Sequence, residues 1–275
     1  MASPPSHAAA DADDDDDARP STLGITGSIG MGKSAVAAML ARLSVPVLDA
    51  DAVVHALYAP GGAAVAPIAA RFGGGSVLTA EGGVCRQALS RAVLGGADGG
   101  AGGGGGDAMR DLEAIVHPLV ALERAAFLQR CAGEGHRLAA LDIPLLFETG
   151  AEAALDAVAV ASCPAEQQRA RVLARPGMTE EKLGSILARQ LPDADKRARA
   201  DFVLDTGAAL AETERAVAVL VRGLREGRVV AAAAAAAGAG GGADGAGPWR
   251  HPEAGALLVV RAWRLEERRA RARER

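Results

Sequence analysis

The stretch "LGITGSIGMGKSAVAAML", residues 23–40, sets four glycines and a lysine between two apolar runs. Gly27, Ser28, Ile29, Gly30, Met31, Gly32, Lys33 and Ser34 fit G-x-x-x-x-G-K-[ST], a loop whose backbone N–H groups form a cup for phosphate. Glycine is required where a Cβ would forbid positive φ or hold an anion away from the main chain. Residues 23–26 read as a short strand, and Val36, Met39, Leu40 and Leu43 recur at i, i+3, i+4 and i+7 of a helix. That helix would aim its N-terminal dipole at the bound anion. Lys33 would reach the β and γ phosphates, and the Ser34 hydroxyl would ligate magnesium. A plain glycine turn between strand and helix explains neither the lysine nor the serine. The loop alone indicates a nucleotide and leaves the reaction open.

Working outward, strand-like and helix-like segments alternate. Residues 45–48, 138–143, 157–162 and 202–204 are further candidate strands. Leu112, Ile115, Val116 and Leu119 share one helical face, as do Val217, Leu220, Val221 and Leu224. Such alternation predicts an α/β fold with a parallel sheet of about five strands covered by helices, and ligands at the carboxyl ends of the strands.

Polar residues just after strands are therefore the ones to weigh. Asp49 and Asp51 follow the second strand in "VPVLDADAVVHALY". A kinase acting on a hydroxyl gains from a carboxylate that orients the hydroxyl and takes its proton, while either aspartate could instead cap the helix that starts near Ala52. Asp142 ends the apolar run "LAALD", the pattern in which an aspartate meets magnesium, and Pro144 and Glu148 follow as a candidate substrate wall. Phosphoryl transfer also needs cations around the transferring group. The chain has only three lysines, Lys33, Lys182 and Lys196, so arginines must supply the rest. In "PAEQQRARVLARPGMTEEKLGSILARQ", Arg171 and Arg175 stand four apart on one helix, with Arg189 and Gln190 a helix later. These segments predict a lid over about residues 165–200, against the alternative of solvated arginines beside Glu166, Glu180 and Glu181.

The ends differ from the middle. Residues 1–20 carry five consecutive aspartates and no signal-peptide core, which reads as a disordered acidic tail. Residues 228–275 combine an alanine and glycine run, too glycine-rich for a membrane span, with an arginine-rich end that reads as a solvated tail or a basic helix. Residues 95–106 are a glycine-rich surface loop, and the folded unit is residues 21–227. Apolar residues make up 49% of the chain, enough for a core, but only 3% are aromatic, so that core is aliphatic. A formal net charge of −4 argues against nucleic acid or an anionic membrane as the main partner. Three scattered cysteines, Cys85, Cys131 and Cys163, suit a reducing, cytoplasmic compartment and give no metal-cluster spacing. Oligomeric state is not readable from the sequence.

"TGSIGMGKS", "VLDAD", "LEAIVHPLV", "LDIPLLFE", the Gln-x-x-Arg-x-x-x-Arg helix and "ADFVLDTG" occur in this order, and together the chain resembles the dephospho-coenzyme A kinases over about residues 22–224. The resemblance implies a three-layer P-loop kinase fold with a helical coenzyme A-binding region and a lid. It implies transfer of the γ-phosphate of ATP, with Mg2+, to the ribose 3′-hydroxyl of dephospho-coenzyme A. It assigns residues 30–34 to the ATP phosphates and magnesium, Asp51 to the base, and Arg171 and Arg175 to the lid. His117 and Pro118 match its acceptor region, and Thr206 stands where the family commonly has an asparagine near the adenine. Three rival classes remain. A regulatory GTPase lacks its base-reading lysine motif here, and the D-x-x-G at Asp244 lies in the tail. A P-loop kinase for another small-molecule or nucleotide acceptor would differ in residues 52–135, and a non-catalytic nucleotide scaffold would bind ATP without releasing ADP.

Overall fold

A computed structural model of the chain describes residues 19–94, 105–226, 249–250 and 258–260. The sheet contains β1 (Ser21–Thr26), β2 (Val47–Asp49), β3 (Leu138–Asp142), β4 (Ala157–Ser162), β5 (Phe202–Asp205), β6 (Trp249–Arg250) and β7 (Leu258–Val260), in the order β2-β3-β1-β4-β5-β7-β6. The first five are parallel: β1 pairs with β3 on one side and β4 on the other. Chain order therefore reverses across β1, and the loop leaving β1 opens at the switch point of the sheet, where α/β folds bind ligands.

The predicted strands are all present, displaced by one or two residues at half of their ends. β1, β3 and β4 are buried almost throughout because helices cover both faces. On one face, α1 (Lys33–Arg42) and α9 (Leu210–Arg225) bring Val36, Leu40, Val217 and Leu220 onto Leu23, Ile25, Phe202 and Leu204. Both helical faces read from the sequence point into this core, where each fully buried leucine or valine contributes about 1.5–3 kcal/mol. On the other face, Leu146, Phe147 and Leu155 pack on Leu141, Val158, Val160 and Val203. Gly24 has no room for a side chain, since a Cβ there would lie 2.4 Å from Leu155 Cδ1.

Between β2 and β3 the chain builds a helical region with a core of its own. It comprises α2 (Ala50–Tyr58), α3 (Val65–Phe72), α4 (Arg86–Leu94) and the 29-residue α5 (Gly105–Gly133), which contains Pro118. Leu57, Ile68, Phe72, Leu89, Val93 and Val116 are buried among them, with Leu112, Ile115 and Leu119 packed alongside. After β4 come α6 (Ala165–Leu173), α7 (Glu180–Leu187) and α8 (Asp193–Arg199), in the segment expected to be a lid.

At the start of the sheet Arg19 forks onto the Asp156 carboxylate at 3.1 and 2.9 Å, and Thr22 donates its N–H and hydroxyl to the same oxygen at 2.7 and 2.8 Å. Burial pushes the Asp156 carboxyl up, but the Arg19 and Thr22 bonds outweigh it and hold the group below its ordinary value. A depressed carboxyl stabilises the fold above its unfolded pKa, and that contribution disappears as pH falls through the folded one. Asp156→Asn is therefore expected to cost about 1–3 kcal/mol near neutral pH. Chemical denaturation as a function of pH should show the gap from the parent closing toward pH 3; a constant gap contradicts the assignment.

Most of the acidic N-terminal tail and of the glycine-rich loop lies outside the described residues, as does most of the C-terminal segment; Gly105 and Gly106 belong to α5. The arginine-rich end departs from expectation where it is described. Leu258–Val260 is a strand, antiparallel to β5, with Leu258 opposite Leu204, and not part of a helix. Val259 and Val260 are β-branched, which favours a strand, and the open edge of β5 supplies the partner.

Candidate active site

Residues 27–34 pass from β1 into α1 through two left-handed glycines, Gly30 at φ 78° and Gly32 at φ 87°. A Cβ at Gly30 would lie 2.5 Å from Val172 Cγ2 of α6, so the loop and α6 touch. Gly32 is the N-cap of α1 and offers no side chain to its first amides, which leaves them for an anion. The loop forms one wall of a cleft of about 730 Å³, ample for a nucleotide.

The cleft brings together most of the residues singled out from the sequence. Gly27, Ser28, Ile29, Gly30, Gly32, Lys33 and Ser34 line it, together with Asp51, Pro144, Arg171, Arg175 and Thr206. Asp49 and Asp51 stand in different settings. Asp49 accepts the N–H groups of Asp51 and Ala52 at 2.9 and 3.1 Å and caps α2, while Asp51, in the first turn of α2, lines the cleft. Lys33 Nζ pairs with Asp142 Oδ1. Burial pushes the Asp142 carboxyl above its ordinary value, with Asp49 and Asp51 adding to the shift and Lys33 opposing it. Arg171 donates to the Thr206 carbonyl at 2.8 Å, which holds α6 across the mouth of the cleft beside β5.

Other residues stand elsewhere than their sequence pattern suggests. Met31 is buried beneath the loop, its sulfur 3.2 Å from the Cys163 amide nitrogen. Thr206 borders the cleft, yet its hydroxyl lies 2.7 Å from the Met31 carbonyl and 3.1 Å from that of Ser162, where it braces the loop. Glu148 is absent from the lining. Its Oε1 accepts the Leu191 N–H at 2.8 Å and sits 2.9 Å from Nζ of the fully buried Lys196. Burial would push the Glu148 carboxyl up, but the bonds from Lys196 and the Leu191 amide prevail and lower it. In place of the expected substrate wall, Glu148 holds the Leu191 amide, between α7 and α8, and the buried Lys196 of α8. His117 and Pro118 lie on the exposed side of α5, outside the cleft lining.

Three features were not assigned from the sequence: the Lys33–Asp142 pair, the burial of Lys196, and two glutamines that grip the loop. Gln190 Oε1 accepts the Ile29 N–H at 3.1 Å, and Gln168 Nε2 donates to the Ile29 carbonyl at 2.8 Å. Gln168 was detectable, since it precedes Arg171 and Arg175 by three and seven positions and so shares their helical face. No spacing signals the others.

Among the described residues no group of three or more His, Cys, Asp or Glu could cage a metal, and no helix is long and apolar enough to cross a membrane. A hard divalent cation that takes the Ser34 hydroxyl and the Asp142 carboxylate would draw its remaining ligands from phosphate and water, as magnesium does at nucleotide sites.

The dephospho-CoA kinase family model matches residues 21–212. A dephospho-CoA kinase of Novosphingobium aromaticivorans is 57% identical over 208 residues, spanning 76% of this chain and 96% of its own length. One of Brucella melitensis is 50% identical over 203 residues, 74% of this chain and 94% of its own. Among solved structures, TT1252 from Thermus thermophilus superposes with a TM-score of 0.59 at 33% identity, over 74% of this chain and 97% of its own. With the phosphate-binding loop, Asp51 and the arginines of the cleft all inside the matched span, the chain belongs to the dephospho-CoA kinase family.

Proposed function

We propose that this chain is an ATP-dependent kinase of the cytoplasm that phosphorylates the 3′-hydroxyl of dephospho-coenzyme A, giving coenzyme A and ADP. The observation that carries the reading is the placement of Asp51 in one cleft with Lys33, Ser34, Arg171 and Arg175, all within the span matched to the family.

In this reading the loop from Gly30 to Ser34 receives the phosphates, and Lys33 turns from Asp142 to the β and γ oxygens. Asp51 accepts the proton of the ribose hydroxyl while that oxygen attacks the γ-phosphorus and the bond to the β,γ-bridging oxygen breaks; ADP departs with that oxygen. Arg171 and Arg175 meet the charge spread over the transferring group, and closure of the lid keeps water out. Ser34 and Asp142 would hold magnesium, which when bound neutralises phosphate charge. Thr206, with its hydroxyl turned to Met31, borders the cleft beside the loop, and the adenine would lie near it. The helical region with His117 and Pro118 would meet the remainder of the acceptor, beside Pro144. The catalytic unit is residues 21–227.

ADP release tests the proposal directly. With ATP and magnesium, release should require dephospho-coenzyme A and stay at background with AMP, pantetheine phosphate or no acceptor. Equal release with every acceptor would replace it with the reading of a kinase for another substrate.

A further inference from the structure

We propose that Gln190 is a positioning residue: it fixes the phosphate loop from the lid side by holding the Ile29 amide, and the pair of Glu148 with the buried Lys196 sets its place. This rests on the reading of the cleft as an ATP site.

Ile29 is the third residue of the loop, and both of its backbone groups are claimed by side chains from opposite arms of the lid. Gln190, which follows α7, accepts its N–H at 3.1 Å, and Gln168, on α6, donates to its carbonyl at 2.8 Å. The two bonds also assign the amides, because one partner is a donor and the other an acceptor. Peptides held on both sides cannot rotate, so the orientation of Gly30 and Gly32, whose positive φ values shape the cup, is inherited from this grip.

The grip is itself anchored. Gln168 is almost fully buried, and Val172, one turn along α6, packs against Gly30. The neighbour of Gln190 is pinned, since the Leu191 N–H donates to Glu148 at 2.8 Å and Glu148 lies 2.9 Å from Lys196 Nζ. Lys196 is fully buried, and removing one partner of such a pair strands the other charge. Glu148 belongs to the segment leaving β3, as do Asp142 and Pro144. One chain of contacts thus ties that segment, the lid and the phosphate loop together.

The chemistry of the amide is informative. A carboxylate at position 190 would accept the Ile29 N–H at least as strongly, but would place a negative charge on the wall of a cleft built for a triphosphate. Glutamine supplies the acceptor without the charge. The two functions can therefore be separated by substitution, which distinguishes positioning from mere support of the fold.

Steady-state kinetics and amide hydrogen exchange on the full chain test this. Gln190→Ala should lower kcat by about 10- to 100-fold with the KM for ATP changed by less than about threefold, because a misplaced loop costs rate more than binding. Exchange of the Ile29 amide should accelerate by about tenfold or more. Gln190→Glu should restore slow exchange and most of kcat at saturating ATP, while raising the KM for ATP by about tenfold. Parent-like kcat and Ile29 exchange in Gln190→Ala would overturn the proposal, as would equal losses in both variants with KM untouched. A parent that ignores dephospho-coenzyme A defeats the functional reading instead, and the exchange contrast still decides the role of Gln190.

Discussion

Lys33→Ala is expected to lower turnover by about 10³-fold or more, to the background of an ADP-release assay, while leaving the sheet intact. The lysine ammonium is a flexible cation at the end of the loop, at the start of α1, where in the proposed reading charge accumulates on the β and γ oxygens. Its loss has a second consequence through Asp142. That carboxylate is 5% exposed, and its pKa is raised even with Lys33 beside it. Without the lysine, burial acts unopposed by any contacting cation and the shift grows. A carboxyl raised in the folded state costs nothing below its unfolded pKa and costs progressively more as pH rises through the folded one. Lys33→Ala should thus lower the thermal midpoint at pH 7 and not at pH 4. Adding Asp142→Asn should recover the midpoint and none of the activity. If the single variant melts like the parent at both values, the Lys33–Asp142 pair carries no weight in the fold.

The same pair shows where sequence reading succeeds and where it stops. The loop, the helical faces of α1, α5 and α9 and the central strands were legible because each is fixed by local spacing: glycines at positive φ, apolar residues every three to four positions, or short apolar runs. Asp142 was legible as the end of such a run. Its contact with Lys33 spans 109 positions and depends on β3 lying beside β1, a register no local pattern encodes. Glu148 failed for the same reason. An acidic residue after a strand at the mouth of a cleft suits a substrate wall, but Lys196, forty-eight positions later and buried by the fold, claims it. The C-terminal strand is a third instance. Arginines suggested a solvated tail or a basic helix, and only the open edge of β5 reveals what Val259 and Val260 would pair with.

Asp51→Asn carries the second large expected effect, a fall in kcat of about 10²- to 10⁴-fold with the KM for ATP nearly unchanged. The separation follows from position. Asp51 lines the cleft from α2, across from the loop, and neither contacts Lys33 nor caps a helix, the latter task belonging to Asp49. Asparagine keeps the size and can still orient a hydroxyl through its carbonyl oxygen, but it cannot take the proton, so the loss should fall on the chemical step. Asp49→Asn is the matched control: it keeps the capping oxygen and should hold kcat within about threefold, because asparagine caps nearly as well as aspartate. Pre-steady-state measurement of ADP formation separates chemistry from product release and shows which step slowed. A fully active Asp51→Asn with an impaired Asp49→Asn would exchange the roles of the two aspartates and move the proton acceptor to the end of β2.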